Sequence, residues 1–513
     1  MLKPKKSIAL IVVLLMVLSA CSPAAPAAGE RLARGAKQGT YYEVFVRAFA
    51  DSDGDGIGDF AGLAGKMDYF SDMGITGLWL MPVFESPSYH GYDTTDYYKI
   101  NSDYGTMEDF EAFIAAADER GIAVILDLVV NHSSTRNEWF IQSRDPDSPY
   151  RDWYYWSGDG EDINLNASFY GNRVWNQTSS GYYAGLFWGE MPDLNLDNPE
   201  VRAEIKRIAE FWLGKGVSGF RLDAAMHVFN SGKLPMGSGL NQEEKSLEWW
   251  TEFAEFCRGI DPDCYIVGEI WAASATRAAY TAALDSAFHF DMGETLARTV
   301  VRGSDAGNAF AKYMKSEYNR LSGVNPNAID APFLSNHDQN RISTMLRNDP
   351  ENLKMAANIY LTLQGLPFVY YGEELGMIGG KPDENIRTPF LWGADDPALT
   401  SWHSTVYNDN VASYAEQSKD SNSLLNRYKA LIRLRAATPA LFAGTLEPVD
   451  SGSDAVMAYT MTAPEQTVLV LHNLSKERRT LELDGSGTVI FGEGRAGANG
   501  ITLEPQSSLI IER

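Results

Sequence analysis

Short apolar runs alternate with amphipathic stretches along most of this 513-residue chain. Several runs are unbroken in their hydrophobicity, as expected of parallel strands covered on both faces. Most of the intervening stretches carry a helical period, so the alternation predicts an α/β fold built on a parallel sheet. The candidate strands are Tyr41–Phe45, Gly77–Leu80, Ala123–Leu128, Gly219–Leu222, Tyr265–Gly268, Ala287–Phe290, Ala331–Leu334 and Phe368–Tyr370.

A carboxylate lies just beyond three of these candidate strands. Asp223 follows GFRL, Glu269 follows YIVG, and Asp338 follows the run that ends at Leu334. In a barrel of alternating strands and helices, residues at the carboxyl ends of different strands converge on one active site. The three carboxylates therefore predict acid and base chemistry on a neutral, polyhydroxylated substrate.

Two segments depart from the alternating pattern. Between His132 and Asn198, aromatic residues, Gly, Asn and Asp dominate, and the segment is too long for an ordinary loop. After about Thr438 the pattern changes to period-two alternation, as in AVMAYTM and TVLVLHNL. This alternation predicts a separate antiparallel β-sandwich.

Four motifs closely resemble the conserved regions of the α-amylase family of glycoside hydrolases (family 13). The resemblance implies a (β/α)8 TIM barrel, a small domain inserted after strand 3, and a C-terminal antiparallel β-sandwich. Residues 39–132 and 198–437 are then expected to form the catalytic barrel, 133–197 the inserted domain and 438–513 the C-terminal domain. The motifs, in the family's order, are DLVVNH (127–132), GFRLDAAMH (219–227), IVGEIW (266–271) and FLSNHDQNR (333–341).

The same resemblance implies a role for each carboxylate. Asp223 is expected to be the nucleophile that forms a covalent glycosyl-enzyme intermediate. Glu269 is expected to be the acid and then the base, and Asp338 to hold two sugar hydroxyls. Retention of configuration places nucleophile and acid roughly 5–5.5 Å apart. Arg221 precedes Asp223 by two residues on the same strand face, from which a charge-assisted hydrogen bond can hold Asp223 ionised.

Other residues match the family's sugar-binding positions. His90, His132 and His337 are expected to donate hydrogen bonds to the sugar in subsite −1, on the non-reducing side of the cleaved bond. Tyr92 matches a platform on which a sugar ring stacks. Arg341 is expected to pair with Asp338 or Asp223, with a place on a helix surface as the alternative.

The sequence DSDGDGIGD (51–59) has oxygen ligands at alternate positions, the spacing that wraps a hard cation. It begins like an EF-hand, but position 12 is Gly62 instead of a bidentate Glu, so that interpretation fails. Relatives of the oligo-1,6-glucosidase type carry a shorter Ca²⁺ loop here. The implied ligands are Asp51, Asp53, Asp55, the carbonyl of Ile57 and Asp59; a solvated acidic turn is the alternative.

The N-terminus has the pattern of a processing signal. Three lysines precede an apolar run over 8–18, which is too short to span a bilayer comfortably. The following Leu18-Ser19-Ala20-Cys21 resembles the lipobox of bacterial lipoproteins. We expect residues 1–20 to be a signal peptide, Cys21 to carry a lipid anchor, and residues 21–38 to be a tether. The protein would then be an extracytoplasmic lipoprotein of a bacterial membrane; an ordinary cleaved signal is the alternative.

The formal net charge of −25 argues against nucleic acid or an anionic membrane surface as the main partner. A neutral glucan is compatible with that charge. Cys257 and Cys264 are seven residues apart, and this spacing fits either a disulfide or two free thiols.

The resemblance implies a retaining α-amylase that cleaves internal α-1,4 bonds of starch and maltooligosaccharides. Ala224 favours α-1,4 linkages, because relatives that act on α-1,6 bonds commonly carry Val there. Met226 replaces a Lys that many α-amylases use beyond the cleavage point, so the sequence does not define binding on that side. Alternatives are an α-glucosidase or neopullulanase-like hydrolase, a 4-α-glucanotransferase, and a starch-binding lipoprotein without activity.

Overall fold

A computed structural model describes residues 37–160, 163–229 and 243–513 of the chain. The predicted signal peptide, Cys21 and the tether up to residue 36 lie outside the described residues. Within the described ranges, no helix is both long enough and apolar enough to cross a membrane.

A parallel sheet forms the centre of the molecule. Its strands pair in the order β6-β5-β4-β3-β2-β1-β8. Parallel bridges from Phe288 to Ala331 and from Phe333 to Phe368 place residues 331–333 between β6 and β8 as β7. The sheet thereby closes on itself, which confirms the predicted barrel. The strands are β1 Tyr41–Val44, β2 Gly77–Leu80, β3 Ala123–Leu128, β4 Gly219–Leu222, β5 Tyr265–Gly268, β6 Ser286–Ala287 and β8 Phe368–Tyr370.

The strand residues are buried on both faces, as their unbroken hydrophobicity predicts. Alternate residues face the barrel interior, where Tyr41, Trp79 and Phe368 belong to one apolar cluster. Their neighbours, such as Tyr42 and Leu78, pack outward in the main core against the helices. The barrel interior is therefore a packed core, and the free space lies at its ends.

The sixth strand is shorter than predicted. It ends at Ala287, and a helix begins at Phe290, where the sequence predicts a strand through Phe290. The apolar run continues into the first turn of this helix, where Phe290 and Met292 are buried. A short apolar run has the same appearance in a strand and in a buried helical turn, so its period could not separate the two.

Helices surround the barrel and connect successive strands. Cys257 and Cys264, which flank the turn before β5, are both buried free thiols in the described structure. The longer barrel helices are Phe60–Gly65, Met67–Met73, Met107–Asp118, Pro199–Gly214, Glu243–Ile260, Ser274–Tyr280, Phe290–Arg302, Ala309–Val324, Pro350–Tyr360 and Leu424–Ala437.

The segment between β3 and the helix Pro199–Gly214 forms small antiparallel sheets. Trp156–Ser157, Gly181–Ala184 and Trp175–Thr178 pair in that order, and Ser168–Phe169 pairs with Asn172–Arg173. These elements share a small apolar cluster of their own. An antiparallel bridge between His132 and Asp193 joins the segment to the end of β3. The segment therefore stands beside the carboxyl ends of the barrel strands.

The C-terminal region folds into two antiparallel sheets. One sheet has the order β9-β10-β11-β16-β13 and the other the order β12-β15-β14. Apolar side chains of both sheets, including Leu469, Ile511 and Leu503, share one buried cluster, which confirms the predicted sandwich. The strands are β9 Thr445–Pro448, β10 Val456–Ala463, β11 Gln466–Asn473, β12 Arg479–Leu481, β13 Thr488–Gly492, β14 Gly494–Gly497, β15 Gly500–Leu503 and β16 Ser508–Glu512.

Candidate active site

A cavity of about 780 Å³ opens at the carboxyl ends of the barrel strands. Asp223 enters it just after β4, Glu269 just after β5 and Asp338 a few residues after β7. The structure thus brings the three predicted carboxylates together in one place. The other lining residues are Tyr89, His90, Tyr92, His132, Tyr170, Phe187, Trp188, Met191, Ala224, Met226, His227, Trp271, Lys381, Asp383 and Arg387.

A buried guanidinium holds the carboxylates in place from below. Arg221 is 0% exposed. One of its terminal nitrogens donates to Asp127 at 2.8 Å and to Asp223 at 2.6 Å. The other terminal nitrogen lies 3.0 Å from Glu269 Oε2. Asp223 and Glu269 therefore face the same cation, and the predicted contact between Arg221 and Asp223 is present.

The backbone beyond β4 and β5 continues the barrel's hydrogen bonding for one more residue. The N–H of Asp223 donates to the carbonyl of Leu128 at 3.2 Å, and that of Glu269 to the carbonyl of Leu222 at 3.0 Å. The chain then turns at Ala224, which has a positive φ of 45°. This turn directs the Ala224 N–H to Glu269 Oε2 at 2.9 Å. Sheet geometry thus fixes the backbone positions of Asp223 and Glu269.

The three carboxylates have different electrostatic environments. Burial raises the pKa of Glu269, and the nearby negative charges of Asp223 and Asp338 raise it further against the effect of Arg221. Burial also raises the pKa of Asp223, but the charge and hydrogen bond of Arg221 oppose this rise. Although burial opposes it, His337 and then Arg387 lower the pKa of Asp338. Burial and the neighbouring anions thus favour the protonated form of Glu269, and the cations around Asp338 favour its anion.

His337 lies behind the cavity wall, where protein groups occupy both of its ring nitrogens. Its Nδ1 is 2.6 Å from Glu43 Oε1, and its Nε2 is 2.5 Å from the Tyr92 hydroxyl and 3.2 Å from Asp338. Burial lowers the pKa of His337, but the charges of Asp338 and Glu43 overcome this and raise it to about 10. The sequence predicts a hydrogen bond from His337 to the sugar; in the structure Nδ1 is paired with Glu43, and Nε2 with Tyr92 and Asp338.

His90 and His132 line the cavity as predicted. Burial lowers the pKa of each to about 4, so both rings are neutral at pH 7. The Tyr92 N–H donates to His90 Nδ1 at 3.1 Å, which leaves the ring proton on Nε2. His132 Nε2 is buried with no hydrogen-bond partner among the described residues. The His90 Nε2 proton is therefore available to a sugar hydroxyl, whereas His132 Nε2 is enclosed by protein in this structure.

Tyr92 also lines the cavity, and its ring stacks on that of His337 with centroids 5.7 Å apart. Its hydroxyl donates to Asp127 Oδ2 at 3.2 Å. The ring is therefore held rigidly, as a stacking platform for a sugar requires.

The predicted pairing of Arg341 is wrong. The Arg341 guanidinium is buried, donates to the carbonyls of Ile386 and Tyr371 at 2.7 Å each, and lies over the rings of Tyr370 and Tyr371. Arg387 is the residue that pairs with Asp338, at 3.0 Å. Arg341 begins a helix whose start is fixed by Ser335 and Gly379, and this directs its side chain under β8 instead of into the cavity.

Sequence reasoning missed Glu43, Asp127 and Arg387. Glu43 and Asp127 are fully buried carboxylates within otherwise apolar strands, and a charge in such a run is a readable signal of a partner. Arg387 lies in the irregular segment after β8, where no strand or helix pattern marks it. Only the fold shows that it faces Asp338.

The acidic loop after β1 has the chemistry of a cation site. Carboxylate oxygens of Asp51, Asp53 and Asp59 lie within 4.8 Å of one another. Asp55, predicted as a further ligand, is not in this group of three, and its carboxylate accepts the Ile57 N–H at 2.7 Å. The loop is joined to a distant segment by bonds from Asp51 N–H to Ala398 and from Ser401 N–H to Gly56. Three converging carboxylates fit a hard divalent cation such as Ca²⁺.

Comparison with known proteins agrees with this geometry. The family description "Alpha amylase, catalytic domain" matches residues 43–444. The chain belongs to the α-amylase family of glycoside hydrolases. A second description, "Alpha-amylase SusG C-terminal domain", matches residues 456–510, within the sandwich.

Relatives within the family have more than one activity in their names. The chain is 42% identical over 485 residues to α-amylase 3 of Dictyoglomus thermophilum, covering 93% of each chain. It is 30% identical over 479 residues to a 4-α-glucanotransferase of Thermotoga neapolitana, covering 92% of this chain and 99% of the relative. The crystal structure of an α-amylase from H. orenii superposes with a TM-score of 0.86 at 42% identity, covering 93% of this chain and 99% of that one.

The two arginines near β8 predict opposite phenotypes. Arg387→Gln removes the charge that Asp338 faces, and we expect kcat/KM on maltooligosaccharides to fall about 10- to 100-fold because hydrogen bonds to charged groups contribute about 1.5–3 kcal/mol. Arg341→Gln leaves buried carbonyls unsatisfied, and we expect it to lower the melting temperature while the folded fraction keeps its kcat/KM. Thermal unfolding and steady-state kinetics of both variants test this; a reversed pattern would contradict the assignment.

Proposed function

We propose that this member of the α-amylase family is a retaining α-amylase that cleaves internal α-1,4 bonds of starch and maltooligosaccharides. The observation that carries the proposal is the arrangement of Asp223 and Glu269 on one buried guanidinium, facing a cavity that also contains Asp338. Glycoside cleavage through an oxocarbenium-like transition state needs one carboxylate beside the anomeric carbon and one acid beside the leaving oxygen. The two environments described above suit these two tasks.

In the first step, Asp223 attacks the anomeric carbon while Glu269 gives its proton to the leaving oxygen. The charge and hydrogen bond of Arg221 favour the ionised form of Asp223, and the two neighbouring anions favour the protonated form of Glu269. In the second step, Glu269 takes a proton from a water molecule that releases the sugar from Asp223. The same residue serves as acid and base because its proton is gone once the leaving group departs.

Asp338 and the neutral histidines hold the sugar during these steps. Asp338, fixed by His337 and Arg387, can accept hydrogen bonds from two sugar hydroxyls. His90 offers an uncharged ring nitrogen to a further hydroxyl, and His132 lines the cavity as a neutral ring. Hydrogen bonds that strengthen as positive charge develops on the ring lower the barrier for cleavage.

Internal cleavage needs room for sugars on both sides of the bond. Exposed aromatic rings at Tyr170, Trp188 and Trp271 continue the cavity lining beyond the carboxylates. Such rings suit successive pyranose units of a glucan. A binding protein without activity would not need the acid and nucleophile to be held in this way, which favours the enzyme over a starch-binding lipoprotein.

The roles of the two acids predict a difference between substrates. Glu269→Gln should slow starch cleavage by about 10²- to 10⁴-fold, the contribution of a positioned general acid. An α-glycosyl fluoride has a leaving group that needs little protonation, so its first step should slow much less. Asp223→Asn should lose activity on both substrates. Release of reducing sugar measures starch cleavage, and release of fluoride measures cleavage of the glycosyl fluoride. If each variant lost the same factor on both substrates, the roles assigned to Asp223 and Glu269 would be wrong.

We also propose that the acidic loop binds Ca²⁺ through Asp51, Asp53 and Asp59. The ion would join the loop after β1 to the segment around Ala398 and Ser401, so its effect would be on stability. It lies apart from the carboxylates that carry out the cleavage. Its ligands are oxygen atoms only, which is the donor set that calcium prefers.

Added Ca²⁺ should raise the melting temperature of metal-free protein, because a ligand at a hundredfold excess over its Kd stabilises the folded state by about 2.7 kcal/mol. Asp53→Asn should remove most of this response. Asp55→Asn is the matched comparison, since its carboxylate is not among the three that converge; an unchanged response would leave the site with Asp51, Asp53 and Asp59, and a lost response would add Asp55 to the ligands. If Ca²⁺ did not change the melting temperature of metal-free wild-type protein, the proposed site would be wrong, and the loop would be a solvated acidic turn.

We propose, finally, that the protein is lipid-anchored through Cys21 on the outer side of a bacterial membrane. The support is the sequence of charges, apolar run and Leu18-Ser19-Ala20-Cys21 at the N-terminus. Expression of the full chain in a bacterium should place activity in the membrane fraction, and Cys21→Ser should release it or block maturation. If the wild-type protein were soluble and mass spectrometry showed no lipid on it, the proposed anchor would be wrong, whereas the proposed hydrolase activity would not be affected.

A further inference from the structure

Glu43 is a buried carboxylate of β1 that does not line the cavity. Its neighbour Tyr42 packs outward in the main core, so the period of two in a strand turns the Glu43 side chain toward the barrel interior. On either side its backbone pairs with Trp79 of β2 and Tyr370 of β8. A carboxylate in such a place is costly unless it is paired. The identity of its partner therefore shows what its charge is for.

The partner is His337, and the number of available protons determines the state of this ring. The Tyr92 hydroxyl donates its one proton to Asp127 at 3.2 Å, so its oxygen accepts from His337 Nε2. Asp338, as a carboxylate, also accepts from Nε2 at 3.2 Å. Glu43, as a carboxylate, accepts from Nδ1 at 2.6 Å. Both ring nitrogens therefore carry a proton, and the ring is an imidazolium cation.

The charge of this ring matters to Asp338. A hydrogen bond from a cation to a carboxylate is roughly twice as strong as one from a neutral donor. Asp338 also accepts from Arg387 at 3.0 Å, and it reaches the cavity with the remainder of its carboxylate. If His337 lost a proton, Asp338 would face a neutral ring on its protein side. It would then be held less firmly while it binds the sugar hydroxyls.

Glu43 differs from the other anions near His337, because each of those has another cation in contact. Asp127 and Asp223 are bonded to Arg221, and Asp338 is bonded to Arg387. Burial lowers the pKa of His337, whereas Asp338 and then Glu43 raise it. The ionisable groups that face this ring are Glu43 of β1, Tyr92 after β2, Asp127 of β3, Arg221 and Asp223 at β4, Asp338 itself, and Arg387, whose Nε donates to the His337 carbonyl.

We propose that Glu43 is a positioning residue for the cleavage reaction, which holds His337 as an imidazolium and so keeps Asp338 firmly bound and the enzyme active toward alkaline pH. The inference rests on the proposed function of the site, in which Asp338 binds the sugar. Glu43 does not touch the substrate and acts through His337. Its effect should therefore appear as a change in pH dependence rather than as a uniform loss of activity.

The kinetic test is Glu43→Gln, which removes the charge but keeps the size of the side chain and a hydrogen bond to the ring. At about pH 5 the ring should be protonated in both enzymes, and kcat/KM on maltooligosaccharides should differ by less than about threefold. At about pH 9 only the wild-type ring should keep its charge, and the difference should grow to about tenfold. Ionisation of Glu269 affects both enzymes and cancels in this ratio. A ratio that does not change with pH would overturn the proposal.

Two variants separate this role from a structural one. Glu43→Asp keeps the negative charge, and its ratio to wild type should stay nearly constant with pH. Glu374→Gln is the matched control, because this buried carboxyl accepts from the hydroxyl of Tyr42, next to Glu43 in β1, on the other side of the strand. It should alter the melting temperature without a pH-dependent ratio. The same rising ratio in Glu374→Gln would mean that any change in this part of the core has the effect, and would contradict a specific role.

Nuclear magnetic resonance of ¹⁵N-labelled histidine rings tests the charge itself, in wild-type protein and without activity. The chain has seven histidines, and His337→Asn identifies the signal of His337 by its loss. At about pH 8 the wild-type ring should show two protonated nitrogens, and in Glu43→Gln it should lose a proton at lower pH. A neutral wild-type ring at this pH would overturn the proposal. If the wild-type enzyme released no sugar at any pH, the hydrolase assignment would be wrong, whereas the control of His337 by Glu43 would still be decided by these spectra.

Discussion

The buried guanidinium of Arg221 is the interaction on which the active site depends. A charge out of contact with water is costly unless it is paired and hydrogen-bonded. Here Asp127, Asp223 and Glu269 surround the cation, and each of these carboxylates would be costly to bury without it. Arg221 comes from β4 itself, so the position of the cation is as rigid as the barrel. Nucleophile and acid therefore start from fixed points at adjacent strand ends.

A network of hydrogen bonds extends this order across the barrel. Tyr92 joins Asp127 to His337, and His337 joins Glu43 of β1 to Asp338 beyond β7. Glu43, Asp127 and His337 are buried, where electrostatic interactions are strong, and Asp338 extends from this network into the cavity. The result is a site whose charges are placed before substrate arrives, which is the main source of rate enhancement in many enzymes.

The residues that line the cavity are of two kinds, charged groups and aromatic rings. The charged groups around Asp338 and Arg387 are tied to the network and hold the sugar whose bond breaks. The aromatic rings include Trp271 from a barrel loop and Tyr170 from the inserted segment, so their arrangement depends on connections rather than on strands. Relatives in the family are named as an α-amylase and as a 4-α-glucanotransferase, so related chains of one family carry more than one activity.

The sequence by itself determined the barrel and the three carboxylates. Strands β2 to β5 have the predicted bounds, because a short, largely apolar run is a local signal that can be recognised in the sequence without its partner strands. The period of two in a strand also determined that Arg221 and Asp223 share a face.

Only the tertiary structure decided which charges meet. Arg341 stands three residues after Asp338 in the chain, yet Arg387 pairs with it, since the segment after β8 folds back over the cavity. Asp55 lies within the acidic loop, yet its carboxylate is not among the three whose oxygens converge. Such pairings depend on where loops lie in the folded structure, and the spacing of residues along the sequence does not give the distance between their side chains.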